Sequence, residues 1–155
     1  MKASDVDIKT AAMRACLSAG DYSDLPQILD YLAHESNREM DYVKDGGIRR
    51  LIGELHSVKL SPANMQLMGN VMATGGVELR RSACYAIRVS DDKAAIPYLK
   101  AALEDTDAEV RYDAMMGLYK ITDNKPPGPP RIDDYLDNPN TYSDYIEYLK
   151  NKVIE

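Results

Sequence analysis

The sequence predicts an all-α chain: a short superhelix of stacked helical hairpins (an α-solenoid), closed by a C-terminal helical cap. Three observations carry this. The helical phrase VELRRSACYAIRVSDD, Val77 to Asp92, returns at a constant offset of 31 as AEVRYDAMMGLYKITD, Ala108 to Asp123. Apolar residues recur at helical spacing between capping signals. No stretch shows the period-two alternation of a half-buried strand. The repeat pairs Arg111 with Arg80, Ala114 with Ala83, Gly117 with Ala86 and Leu118 with Ile87. A helical repeat of that length buries its faces against its neighbours, and such arrays bind other macromolecules.

Ser4 to Ala19 reads as the first helix, with Ser4 as N-cap, Asp5 and Asp7 at the positive end of the dipole, and Gly20 after its end. Ile8, Ala11, Ala12, Ala15, Cys16 and Ala19 form its apolar stripe. The second helix opens at Asp24 with Pro26 in its first turn, and Ile28, Leu29 and Leu32 point inward. Residues 37–47 read either as a charged helix end or as an irregular insertion, with Gly46-Gly47 as punctuation. Ile48 to Val58 resumes a helix on Ile48, Leu51, Ile52 and Leu55.

Ser61-Pro62 is a start signal: a hydroxyl cap, then proline at the first helical position. Met65, Met68, Val71 and Met72 follow at helical spacing, and Gly75-Gly76 closes that helix. Val77 to Val89 is the first clear repeat helix. Asp91 or Asp92 begins the next, with Ile96, Leu99, Ala102 and Leu103 inward. Thr106-Asp107-Ala108-Glu109 matches a capping box and opens a helix on Val110, Ala114, Gly117, Leu118 and Ile121. The run Pro126 to Pro130 is a stiff spacer, and a final helix starts near Pro139. The whole reads as one domain, residues 1–155: divergent helices over 1–60, clear repeats over 61–124, and the spacer and cap over 125–155.

Composition sets the partners. Phe and Trp are absent, so Leu, Ile, Val, Ala and Met must fill the core. The net charge of −6 repels phosphate backbones, which argues against nucleic acid and favours a basic protein partner. Acidity for solubility alone is the plainer alternative. Cys16 and Cys84 are far apart in apolar helical contexts, which points to free thiols and a reducing, cytoplasmic setting. No apolar run approaches the ~18 residues of a membrane span.

With these pairs in view, the chain resembles the HEAT repeat family, and within it the bacterial type associated with phycobilisome lyases. Pro97, Asp105 and Arg111 reproduce that family's proline, aspartate and arginine spacing. The resemblance implies that Pro97 bends the outer helix and that Asp105 and Arg111 link successive turns as a ladder. Arg80 keeps the arginine one unit earlier, whereas Gln66 and Thr74 stand where proline and aspartate would fall. Ile48-Arg49-Arg50-Leu51-Ile52 fits the same second-helix position one further step of the same offset back. The tail, Tyr135, Asn138-Pro139, Tyr142, Tyr145 and Tyr148, is similar to the aromatic close of short bacterial members, and is read as a cap over the last unit.

Chemical motifs are sparse. His34-Glu35 begins like a zinc-protease helix, but Arg38 stands where the second histidine would be, so no metal site is expected. His56 has no ligand arrangement nearby. The glycine pairs lack the lysine and hydroxyl of a phosphate loop. Cys84, beside Ala83 and Ala86, reads as a small core filler. No catalytic residue and no cofactor is expected.

One constellation remains. Arg81, Tyr85 and Arg88 lie at i, i+4 and i+7 on one helix, and adding 31 gives Tyr112, Met116 and Tyr119. The family resemblance implies that these six line the concave face. Tyr and Arg dominate binding hot spots, and Met adapts to irregular surfaces. The alternative is that the tyrosines lean on neighbouring helices and the arginines are solvated. The expected function is therefore a non-enzymatic scaffold that binds a protein partner. A bacterial immunity protein masking a basic toxin, a bilin lyase or isomerase, and an alkylated-base glycosylase are the alternatives.

Overall fold

The computed structural model describes residues 5–36, 46–122 and 128–152. Among these the chain is helical and contains no strand. It divides into two compact units, Met1–Ala86 and Ile87–Glu155.

The first unit holds α1 (Asp5–Ala19), α2 (Leu25–Ser36), α3 (Gly46–Glu54) with a 3-10 turn at Leu55–Ser57, α4 (Pro62–Thr74) and most of α5 (Val77–Val89). α1 packs on α3, and α2 packs on α3 and α4. α1 ends in a Schellman arrangement. Gly20 takes φ +75°, its amide donates to the Leu17 carbonyl, and the Asp21 amide donates to the Cys16 carbonyl.

The buried face of α1 differs from the expected stripe. Ile8 is 60% exposed, and Ala11, Ala12, Ala15 and Ala19 are exposed as well. Thr10 and Leu17 are buried instead, with Met13 and Arg14 half-buried between them. The cause is the close crossing with α3, where a Cβ on Gly47 would lie 2.5 Å from the Thr10 hydroxyl. That hydroxyl donates to the Val6 carbonyl (2.8 Å), so Thr10 can be buried without an orphan polar group. Gly46 and Gly47 therefore begin α3 rather than interrupt the chain. Ser4 and residues 37–45 lie outside the described residues.

Ser61 caps α4 by accepting from the Asn64 amide, and Pro62 holds the first helical position, as expected. Met65, Met68, Val71 and Met72 are buried. Gly75 ends α4 in an extended conformation, not a left-handed one. Glycine is required there by space, since a Cβ would lie 2.8 Å from the Val71 carbonyl and 2.9 Å from Leu79.

The second unit holds a 3-10 turn at Lys93–Ala95, α6 (Ile96–Ala102), α7 (Ala108–Ile121), α8 (Ile132–Asp137), a 3-10 turn at Pro139–Tyr142, and α9 (Ser143–Lys152). α7 packs on α6, α8 and α9. Asp92 caps the Lys93 turn by accepting from the Ala94 amide, and the preceding Asp91 takes φ +54°. The α7 cap is Asp107, one position later than expected. Its carboxylate accepts from the amides of both Glu109 and Val110, in place of the Thr106 hydroxyl of the expected capping box.

Pro97 sits in the first turn of α6, directly after the 3-10 turn at Lys93–Ala95, where it removes no helical hydrogen bond. Gly117 is where α7 approaches α6: a Cβ there would lie 2.7 Å from Leu99 and 3.3 Å from Arg88. α3, α5 and α7 begin at Gly46, Val77 and Ala108, two equal steps that match the offset of the sequence repeat.

Candidate functional site

The buried side of α7 is formed by Val110, Ala114, Met115, Leu118 and Ile121. Its other side carries Tyr112, Met116 and Tyr119, all half-buried. Gly128, Pro130 and Tyr135 lie over that side. The Tyr112 hydroxyl donates to the Pro130 carbonyl at 3.3 Å, and its ring lies 5.8 Å from that of Tyr135. Burial raises the Tyr112 pKa above the usual phenol value, against the pull of Arg88. Gly128 lies against Tyr119, close enough that a Cβ would be 3.3 Å from the Tyr119 hydroxyl.

The remaining row residues also have intramolecular contacts. In the first unit, Arg81 faces Glu78 at 3.7 Å, and the Tyr85 ring sits 4.5 Å from the His56 ring. His56 Nε2 is 3.1 Å from the Ser82 hydroxyl, itself enclosed at 6% exposure. In the second unit, Arg88 pairs with Asp113 at 2.8 Å. Burial is the main force on Asp113 and outweighs the opposing pull of Arg88; with a smaller push from Glu109, its pKa rises to about 6.

The family-type positions resolve into main-chain contacts. Arg111 donates from Nη1 to the carbonyls of Asp105 (2.6 Å) and Thr106 (3.0 Å), and from Nε to the Tyr135 hydroxyl (3.0 Å). The Asp105 carboxylate accepts from the Asp107 amide at 2.8 Å. Arg80 donates to the Gly75 carbonyl at 3.0 Å, the same reach back along the chain that Arg111 makes to Thr106. Arg111 and Asp105 are thus joined within one inter-helix turn, through the Asp105 carbonyl.

The tail does more than cover α7. Tyr135 is fully buried, and Leu149 of α9 is 2% exposed. Tyr142, Tyr145 and Tyr148 form, with Gly128, Pro130 and Asp144, an apolar groove of about 410 Å3. The Tyr145 and Tyr148 rings stack at 6.3 Å with 17° between planes. The Tyr145 hydroxyl is buried and has no hydrogen-bond partner among the described residues. Burial, with the neighbouring Tyr119 and Tyr148, pushes its pKa up to about 12. The sequence predicts only a cap from these three tyrosines; their successive three-residue spacing is the signal for neighbouring rings.

A second, polar cavity of about 400 Å3 is lined by Glu104, Asp105, Arg111, Asn140, Glu147 and Lys150, among others. The Lys150 ammonium bonds Glu104 and lies 3.7 Å from Glu147, so the Lys150 charge is neutralised within the cavity. Among the described residues no three potential metal ligands cluster, and no helix is long and apolar enough to cross a membrane. Cys84 is fully buried and Cys16 half-buried, and neither is in a disulfide. No protein-family model matches the chain, and neither does any curated protein or solved structure.

Proposed function

We propose that the protein is a non-enzymatic binding module, a short HEAT-like superhelix that takes a segment of a protein partner on its tyrosine surface. The observation that carries this reading is the open apolar groove of Tyr142, Tyr145 and Tyr148 beside Gly128 and Pro130. Aromatic side chains on a rigid helix supply large contact area at small entropic cost, which is what binding hot spots need. The array part of the reading draws support from the helix starts at Gly46, Val77 and Ala108, and from the matching carbonyl contacts of Arg80 and Arg111. It is also supported by caps at Ser61 and Asp92, which stand at the same offset as the repeat. The tetrapyrrole-lyase alternative is weakened by the enclosure of Cys84, the thiol on the repeat helix.

Of the six row residues, Tyr112 serves the tail through Pro130 and Tyr135, so its replacement by alanine tests folding as much as binding. Tyr148→Ala and Tyr85→Ala are the cleaner probes. Capture from native lysate with the parent chain, followed by quantitative mass spectrometry with each variant, is the test. The reading expects one protein retained by the parent and lost with Tyr148→Ala while the melting temperature stays within a few degrees. Equal retention by both variants overturns it.

A further inference from the structure

We infer that the groove of Tyr142, Tyr145 and Tyr148 is a docking site for a basic, proline-rich peptide segment of the partner. This rests on the binding-module reading above and adds the chemistry of the ligand.

The chain already displays the recognition in cis. Proline segments have locked φ angles and few amide donors, so their carbonyls are left free for outside donors. Tyr112 satisfies one of them, donating to the Pro130 carbonyl, while Gly128 lies against the Tyr119 ring system. Arg131, at the end of that run, has φ −65° and ψ 147°, in the polyproline II region. Tyr112 therefore holds a proline strand by a hydroxyl-to-carbonyl bond, and Tyr119 lies against the glycine beside that strand's prolines.

The adjoining groove repeats the same materials in open form. It is lined by three tyrosines and by Pro130 itself. Tyr145 and Tyr148 stand on α9 and Tyr142 ends the 3-10 turn before it, so the three rings form one lining along which an extended peptide can lie. Proline-rich ligands pay little ordering entropy because they are extended before binding.

Charge sets the flanks. Asp144 lines the groove, and the surrounding segment carries Asp133, Asp134 and Asp137 against Arg131 and Lys152, while Glu147 and Lys150 line the polar cavity. Lys150 is already paired with Glu104 and Glu147. A ligand with Arg or Lys beside its prolines fits this surface; an acidic one is repelled.

The test is a titration of the 15N-labelled full chain with three synthetic peptides of equal length. They are a proline repeat flanked by arginines, the same repeat flanked by glutamates, and an arginine-flanked Gly-Ser repeat. The arginine-flanked proline peptide is expected to bind, with shifts centred on Tyr142, Tyr145 and Tyr148. Asp144→Asn should weaken it roughly two- to fivefold, as loss of an exposed ion pair would. Tyr148→Ala should weaken it about tenfold, the loss of one hot-spot ring. Equal binding of the Gly-Ser peptide, or no binding of the proline peptide, overturns the inference. If Tyr148→Ala unfolds, Asp144→Asn and the peptide comparison still decide it. The two readings fail separately: a natural partner lost with Tyr148→Ala while no proline peptide binds leaves the module reading standing and removes this one.

Discussion

Arg88 and Asp113 form a charge-assisted hydrogen bond of 2.8 Å, with both side chains mostly shielded from water. The pair is unequal. Removal from water costs the Asp113 carboxylate more than Arg88 returns, and its pKa rises to about 6. The folded chain then holds the Asp113 proton more tightly than the unfolded chain does. Stability from this group is fully present below about pH 4, the ordinary carboxyl range, and is lost as pH rises through about 6. The span is worth at most about 3 kcal/mol. Asp113→Asn should remove it. Urea melts of both chains between pH 4 and pH 7 should show the asparagine variant gaining on the parent as pH rises. A constant gap would mean that Asp113 titrates normally.

Gly117→Ala should destabilise the protein. Alanine is the better helix former by about 1 kcal/mol, but its methyl would meet Leu99 at 2.7 Å, and Leu99 is fully buried and cannot swing away. Overpacking of this kind costs about 1–3 kcal/mol. A net loss of about 1 kcal/mol is expected in denaturant melts. Adding Leu99→Val should cost less than the sum of the two single changes.

Arg111 and Tyr135 should be energetically coupled. Tyr135 is fully buried, and its hydroxyl accepts from Arg111 Nε at 3.0 Å. Arg111→Met leaves that hydroxyl and two carbonyls of the preceding turn without their donor, at a cost of about 2–3 kcal/mol. Tyr135→Phe alone should cost about 1 kcal/mol. A double-mutant cycle should return a coupling of at least about 0.5 kcal/mol. Strict additivity would show that the contact contributes nothing.

Tyr145→Phe should be neutral or stabilising. A buried hydroxyl without a partner costs about 1–3 kcal/mol, and phenylalanine keeps the ring that stacks on Tyr148. The melting temperature should hold or rise by a few degrees. A fall of several degrees would reveal a partner for that oxygen.

Local signals in the sequence are dependable where a single residue type has one physical use. Ser61-Pro62 starts a helix because the hydroxyl accepts an orphan amide and proline has none to lose. The Met65, Met68 and Met72 face, and the Leu79, Ala83 and Ile87 face, are legible because large and small apolar residues recur at helical spacing. The α1 stripe is not, because alanine methyls contribute little burial and cannot outweigh Leu17 and a self-satisfied Thr10 against Gly47. The candidate groove is only half legible. Tyrosines at three-residue spacing can be seen, but Pro130 meeting Tyr112, and Arg111 meeting Tyr135, join positions far apart along the chain. Such pairings are set by tertiary packing and leave no local pattern.

The enclosed Tyr135 alters what a break in the connection ahead of α8 would do. The severed piece would not drift off as a loose end. It would remain seated, an anchored guest held by one phenol and the α7 face, and the two fragments should co-elute until a denaturant parts them. A nick there would change the covalent chain before it changed the fold.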